Sequence, residues 1–324
     1  MSGGHILALC GGVGGAKLAF GLTKILAADR LTIAVNTGDD FEHLGLCISP
    51  DLDTVAYTLA DLSDRERGWG LAGETWQFMS ALRRLGGEGW FNLGDLDLAT
   101  HVERTRRLAA GESLSEVTAA LARGLGLDHA IVPMSDDPVR TFVDTDDGPL
   151  AFQHYFVREQ CRPVVAGVRY EGAEAARLSP AFAAALARPD LAAIVICPSN
   201  PYLSIAPILA VPGVREALAA RTAPCIAVSP IIGGEAVKGP SAKMMRELGV
   251  EPNPMTVARH YAGLIDGLVI DDVDADHAGA IEGLGVATLV TRTLMRNDDD
   301  RIALARDSLG LATALAARPR ARVG

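Results

Sequence analysis

The sequence predicts an α/β protein, a mostly parallel sheet with helices on both faces, and three observations carry that expectation. A short apolar run, His5–Cys10, meets glycines at Gly11, Gly12, Gly14 and Gly15. Apolar residues then recur at helical spacing through Leu18, Leu22, Ile25 and Leu26, and a second strand-like run, Leu31–Val35, follows. The second half of the chain repeats the alternation. Strand, helix and strand in that order make a βαβ unit, and its repetition implies strands buried on both faces, as in a Rossmann-like core.

In chain order, the second strand ends in Asn36-Thr37-Gly38-Asp39-Asp40. Residues 62–127 read as helical, rich in Ala, Leu and Arg and broken by Gly86, Gly87, Gly89 and Gly94. They form an expected inserted helical subdomain or lid. Over 141–170, β-branched and aromatic residues flank the turn signal Asp146-Asp147-Gly148-Pro149, which predicts a hairpin. Strands follow at 193–197, 225–228, 267–270 and 287–291, with helices at 205–209, 243–248 and 276–283. The expected division is therefore 1–61 with 128–315 as the α/β core, 62–127 as the insertion, and 316–324, Ala- and Arg-rich, as a frayed tail.

The chain has 324 residues, 49% of them hydrophobic, enough for a large core in an enzyme-sized fold. Its net charge of -10 repels a phosphate backbone, so nucleic-acid binding is disfavoured and an anionic substrate must be held locally, by amides, single Lys or Arg residues, or a divalent cation. The five cysteines are scattered without metal-ligand spacing, and Cys10, Cys197 and Cys225 fall in strand-like runs. Reduced core thiols are expected. The start lacks a basic, apolar leader, and no run approaches the roughly 20 apolar residues of a membrane span. A cytoplasmic protein without membrane contact is expected.

The glycine-rich turn over 11–17 sits where backbone amides could meet an anion at a helix N-terminus. It fits neither familiar nucleotide loop. Ala16 and Leu18 flank Lys17 where a Walker A loop needs Gly and Ser or Thr, and the dinucleotide fingerprint fails at Lys17 and Asn36. That weakens an NAD-dependent oxidoreductase reading, and the glycines could equally serve a tight turn and close helix packing. Asp39 and Asp40 end a strand, and Asp51 and Asp53 follow closely. Four such carboxylates suit Mg²⁺, although Ser49, Pro50 and the second acid pair also describe an ordinary helix start. Three later segments place small polar residues at a strand end: Ser135 to Arg140, Ser199 and Asn200, and Gly233, Gly234 and Lys238. His101 lies on the insertion, and alone would pass for a helix-surface or capping residue.

Read together, these segments resemble the 2-phospho-L-lactate transferases, the CofD or LPPG:Fo transferase family. The resemblance rests on LCGGVGGAK (9–17), NTGDD (36–40), CISPDLDTVAYTL (47–59), RGWG (67–70), GDLDLATH (94–101), MSDDPVRT (134–141), PSNP (198–201) and SPIIGGEAVKGPSAKM (229–244), in order along almost the whole chain. It implies a Mg²⁺-dependent transfer in coenzyme F-420 biosynthesis. The ribityl hydroxyl of the deazaflavin Fo would attack a guanosine-diphospho acid, carrying phospholactate, phosphoenolpyruvate or phosphoglycerate, and release GMP. The resemblance implies Asp40, Asp51 and Asp53 as catalytic, with Asp39 joining them as metal ligand. Gly12, Gly14, Ser135, Arg140, Ser199, Asn200, Gly233, Gly234 and Lys238 would hold the donor, and Trp69, Gly94, Asp95 and His101 would line the Fo side. A homodimer is the family expectation. The competing reading is a non-catalytic, UDP-sugar-binding regulator similar to the YvcK-like proteins of the same superfamily.

Overall fold

A computed structural model describes residues 3–317. Its centre is a seven-stranded, wholly parallel sheet. The chain enters through β1 (His5–Cys10) and α1 (Gly12–Thr23), then β2 (Leu31–Val35). A small antiparallel pair, β3 (Phe41–His43) and β4 (Leu46–Ile48), leads into α2 (Pro50–Leu59). The 62–127 segment contributes α3 (Gln77–Arg84), α4 (Asp97–Ala109) and α5 (Leu114–Gly124), joined by long irregular stretches over 60–76 and 85–96 rather than continuous helix. The chain returns to the sheet as β5 (Ala130–Pro133).

The 141–170 segment is more than a lone hairpin. Its strands β6 (Arg140–Thr145) and β7 (Gly148–Ala151) do pair across the turn, but β8 (Val165–Glu171) takes the other edge of β6, and a π-helical turn, His154–Arg158, intervenes. The remaining alternation is α6 (Pro180–Leu186), β9 (Leu191–Ile196), α7 (Ala206–Ala210), α8 (Val214–Ala220) and β10 (Cys225–Val228). A two-residue ribbon follows, β11 (Ile231–Ile232) with β12 (Glu235–Ala236). Then come α9 (Ser241–Glu247), α10 (Pro254–His260), β13 (Gly267–Ile270), α11 (Ala278–Glu282), β14 (Ala287–Val290) and α12 (Asp298–Ala316). Ala316 closes the last helix; 318–324, the rest of the expected tail, lie outside the described residues.

Strand order is β14-β13-β10-β9-β1-β2-β5. Because strand side chains alternate between faces, Leu7, Leu9, Ile194 and Ile196 meet one helical layer while Ile6, Ala8, Ala193 and Val195 meet the other. Each fully buried Leu, Ile or Val among them contributes about 1.5–3 kcal/mol, which is why the central strands read as unbroken apolar runs. Cys10, Cys197 and Cys225 are buried in these layers, as their sequence context predicts. The chain builds outward from β1 through β2 to β5, then returns to place β9 on the other side of β1. That reversal opens a crevice beyond the carboxyl ends of β1 and β9, where open α/β sheets bind ligands. Among the described residues no single helix is long and apolar enough to cross a membrane.

Candidate active site

A cavity of about 630 Å³ occupies that crevice. The loops after β1, β9, β10 and β14 supply its floor, α2 one wall, and the insertion and the π-helical turn its cover. Of the residues singled out in the sequence, the cavity gathers Gly12, Gly14, Asp39, Asp51, Asp53, Trp69, His101, Ser199, Asn200 and Lys238.

The glycines serve geometry more than anion contact. Gly12 has φ +63°, where side chains other than glycine's are strained. A Cβ on Gly14 would overlap the Pro198 carbonyl, so its absence lets α1 close on the β9 end. The Gly12 N–H donates to Asp51 Oδ1 at 2.8 Å, and the Gly11 N–H to Ser199 Oγ at 3.2 Å. Those two amides are therefore spent on protein acceptors. Ser199 returns a bond to the Gly11 carbonyl at 2.9 Å. Asn200 Oδ1 accepts from the Tyr202 and Leu203 N–H groups, while its Nδ2 is buried without a partner.

All four aspartates are buried, and they divide by what surrounds them. Asp51 is anchored at Oδ1 by Gly12 and at Oδ2 by Asn36 Nδ2, 2.9 Å away. Burial still pushes its carboxyl up to about 6. Asp39 is pushed well above the ordinary range by burial first and then by the charge of Asp51, and its Oδ1 meets no donor. No cation opposes either shift. Asp40 and Asp53 are different. Asp40 rises to about 7 through burial, opposed by the Ser49 hydroxyl, which donates to its Oδ2 at 2.8 Å, and by the charges of Arg140 and Arg104. Burial raises Asp53 as well, but Arg104 and His101 pull it down.

The helix-start reading of 49–53 fails on one point: Pro50 and the acids occupy the first turn of α2, yet Ser49 makes no side-chain cap and bonds Asp40 instead. Asp51 and Asp53 are buried instead of facing solvent as capping acids would.

A network that the sequence reading missed ties the insertion to these acids. Arg104 of α4, 2% exposed, pairs with Asp53, and its Nη1 donates to His101 Nδ1 at 3.2 Å. A guanidinium only donates, so Nδ1 is the acceptor and Nε2 carries the ring proton. That Nε2 lies 3.2 Å from Asp97 Oδ2, and the Tyr57 hydroxyl donates to Asp97 Oδ1 at 2.6 Å. His101 is thus a buried bridge, correcting its surface-or-cap reading. Asp53, Asp97 and His101 have ligand atoms within 4.8 Å of one another, the spacing of a metal set, but Arg104 already supplies the cation there. Asp97, His101 and Arg104 recur at i, i+4 and i+7, so a polar stripe on one helix face was the available signal.

Several expected site residues do not line the cavity. Asp95 is half-buried outside the cavity and accepts from Thr75 and from the Gln77 and Phe78 N–H groups, capping the start of α3. Gly94 packs against the Glu74 carboxylate. Ser135 is fully buried, donates to the Arg177 carbonyl at 2.6 Å and accepts from the Asp137 N–H. Arg140 donates to the Val139 carbonyl and reaches the site only through its charge near Asp40. Gly233 and Gly234 form the β11–β12 turn, with the Gly233 N–H bonded to Asp274. Asp40 sits behind the wall rather than on it.

Fold and site together define a Rossmann-like α/β enzyme of the phospho-group transferase class. The chain belongs to the CofD family, described as 2-phospho-L-lactate transferase CofD, whose model matches residues 6–282. A phosphoenolpyruvate transferase of Streptomyces griseus is 41% identical over 95% of this chain and 98% of its own length. A 2-phospho-L-lactate transferase of Methanosarcina acetivorans is 40% identical over 94% and 98%. Among solved structures, a UPF0052 family protein of Bacillus halodurans matches with a TM-score of 0.62 at 16% identity, covering 95% of this chain and 99% of its own, a likeness of fold. The protein is accordingly a transferase of coenzyme F-420 biosynthesis.

Proposed function

We propose that this enzyme moves a phospho-acid from a guanosine-diphospho donor to the ribityl hydroxyl of Fo and releases GMP. The observation that carries the reading is the buried pair Asp39 and Asp51, two carboxylates with no compensating cation, at the crevice of a phospho-group transferase. The donor set fits Mg²⁺: oxygen ligands only, an unpartnered Asp39 Oδ1, and charge that burial alone makes costly. Asp39 and Asp51 would hold the ion, which supplies neutralisation of charge on the phosphoryl oxygens when bound.

The protein's own part is positioning and proton handling. Asp53 Oδ2 is buried without a hydrogen-bond partner while Arg104 holds the other oxygen. In this reading it faces the acceptor hydroxyl and takes its proton as the new O–P bond forms and the bond to GMP breaks. A carboxylate raised by burial is the better base for that step. Trp69, Phe91 and the stacked pair Phe152–Phe156, with ring centroids 5.4 Å apart, offer an apolar wall for the deazaflavin ring. Ser199, Asn200 and Lys238 face the donor, with Gly12 and Gly14 shaping the approach. A cytoplasmic homodimer completes the proposal, and light scattering of the purified protein tests the dimer.

Relatives of nearly equal identity are named for different three-carbon acids, so the decisive experiment compares donors. Purified protein with Mg²⁺, Fo and each of the three guanosine-diphospho acids in turn should yield GMP and a more anionic deazaflavin with at least one. Absence of both products with all three, together with tight binding of a UDP-sugar, overturns the transferase mechanism proposed for this site.

A further inference from the structure

With Gly94 and Asp95 off the cavity, the wall left for the acceptor is aromatic and apolar, while the ring it would hold has a polar edge. Along the π-helical turn and the two positions before it, Phe152, Gln153, Phe156 and Val157 line the cavity. Residues three and four apart share a face of a helical turn, so these side chains form one surface. Tyr155 packs into the core instead, and His154 lies edge-on to Trp90. The Glu159 N–H bonds the His154 carbonyl, five residues back, at 2.8 Å, and π-helical turns of this kind recur at functional sites. Gln153 stands apart from its neighbours. It is 6% exposed, yet its side chain neither caps the turn nor meets a hydrogen-bond partner among the described residues. A primary amide brings two N–H donors and a carbonyl acceptor. Taking it out of water unpaired costs free energy that a Met or Leu at this place would avoid. An unpaired, buried amide on a cavity wall, beside two phenylalanines, has its donors and acceptor left for a ligand.

We propose that Gln153 determines specificity for the acceptor by reading the edge of the deazaflavin ring. Its Nε2 donates to a ring carbonyl and its Oε1 accepts from the adjacent imide N–H, while Phe152 and Phe156 cover the apolar part of the ring. The inference rests on the transferase reading and adds to it a residue that fixes the ring within its own plane. Stacking on an aromatic wall leaves a flat ring free to slide and turn, whereas a planar amide matched to a C=O and N–H edge allows one register. That register decides where the ribityl hydroxyl falls. Guanine and uracil carry the same type of edge, but Gln153 sits on the cover of the cavity rather than on the strand-end loops of its floor, so the structure favours the acceptor.

The test measures, by calorimetry on the intact protein, the binding of Fo, of Fo methylated at its imide nitrogen, and of GMP. Wild type should bind Fo about tenfold more tightly than the methylated form, the effect of one lost hydrogen bond. Gln153→Met should bind Fo about tenfold more weakly than wild type does and should no longer separate the two forms, because the group that tells them apart is gone. Its affinity for GMP should stay within about twofold of wild type. Gln153→Leu is the second variant, Gln160→Met, exposed and off the cavity, is the control, and melting temperatures verify folding. A loss of discrimination between Fo and its methylated form is something a merely structural glutamine would not produce. Variants that bind Fo as wild type does, or that keep the full preference against the methylated form, overturn the inference alone. A loss confined to GMP also overturns it and moves Gln153 to the guanine. If wild type binds a UDP-sugar and no Fo, the transferase reading itself falls and takes the inference with it.

Discussion

The acidic and the basic residues that line the cavity are built in opposite ways. Four carboxylates arrive on two nearby segments, the loop after β2 and the first turn of α2, and the protein itself neutralises only half of them. Arg104 and His101 serve Asp53, and Ser49, Arg104 and Arg140 serve Asp40, while Asp39 and Asp51 share amides but no cation. Lys17 and Lys238, which line the same cavity, come from segments more than 200 residues apart and have no carboxylate partner among the described residues. The comparison teaches that clustering in sequence does not mark the reactive groups. The uncompensated ones do, and compensation is a property of the neighbours.

The sharpest way to break this division is Asp51→Asn. The variant keeps an acceptor for one of its two anchors but removes half of the uncompensated pair, so GMP release should fall by about a thousandfold, the rate equivalent of several kcal/mol of lost charge stabilisation. Asp40→Asn should be far milder, because Asp40 stands behind the wall. Equal losses in the two variants would erase the distinction between compensated and uncompensated acids.

Next in size is Arg104→Met. Removing one partner of a buried ion pair leaves the other charge stranded, which costs about 3–5 kcal/mol. Chemical denaturation should show that loss, and Asp53→Asn added to Arg104→Met should recover part of it. Stability equal to wild type in the single variant would mean that α4 does not rely on this pair.

The third test uses pH. Asp40 and Asp51 ionise at about 7 and about 6 in the fold, against 3.8 when unperturbed. Their folded values lie above their unfolded ones, so the native state binds more protons. The stability they contribute is complete below pH 4 and is lost as pH rises through 6 and 7. Without divalent cation the melting temperature should drop by roughly five degrees between pH 5 and pH 7.5. Mg²⁺ should restore more at pH 7.5, where Asp51 is ionised, than at pH 5. An equal Mg²⁺ effect at both values would detach the cation from Asp51.

The smallest effect belongs to Asp95→Ala. Its carboxylate caps α3 away from the cavity, so the change should cost about 1 kcal/mol of stability and leave transfer of the phospho-acid within about twofold. A large fall in activity would return Asp95 to the deazaflavin side.

The sheet was readable because its cause is local. Strands buried on both faces must be apolar throughout, and the helices between them must carry an apolar stripe, so β1, α1, β2, β9, β10 and β13 announce themselves. The GDLDLATH segment shows where legibility ends. Its letters flagged chemistry, but Gly94 and Asp95 serve local packing and capping, whereas Asp97 faces His101. Which residue of a polar segment turns inward depends on the pitch of α4 against α2, a relation set by contacts between segments 40 to 50 residues apart.

The sequence alone therefore determined the class of fold, the crevice where a ligand belongs and, through its ordered motifs, the family, because each follows from periodicity and residue type along the chain. Only the tertiary structure decided that Arg104 compensates Asp53, that the Gly11 and Gly12 amides are taken by Ser199 and Asp51, and that Lys17 and Lys238 line the same cavity. Those are questions of which charge lies beside which in a medium too dry to screen them, and no spacing along the chain encodes that distance.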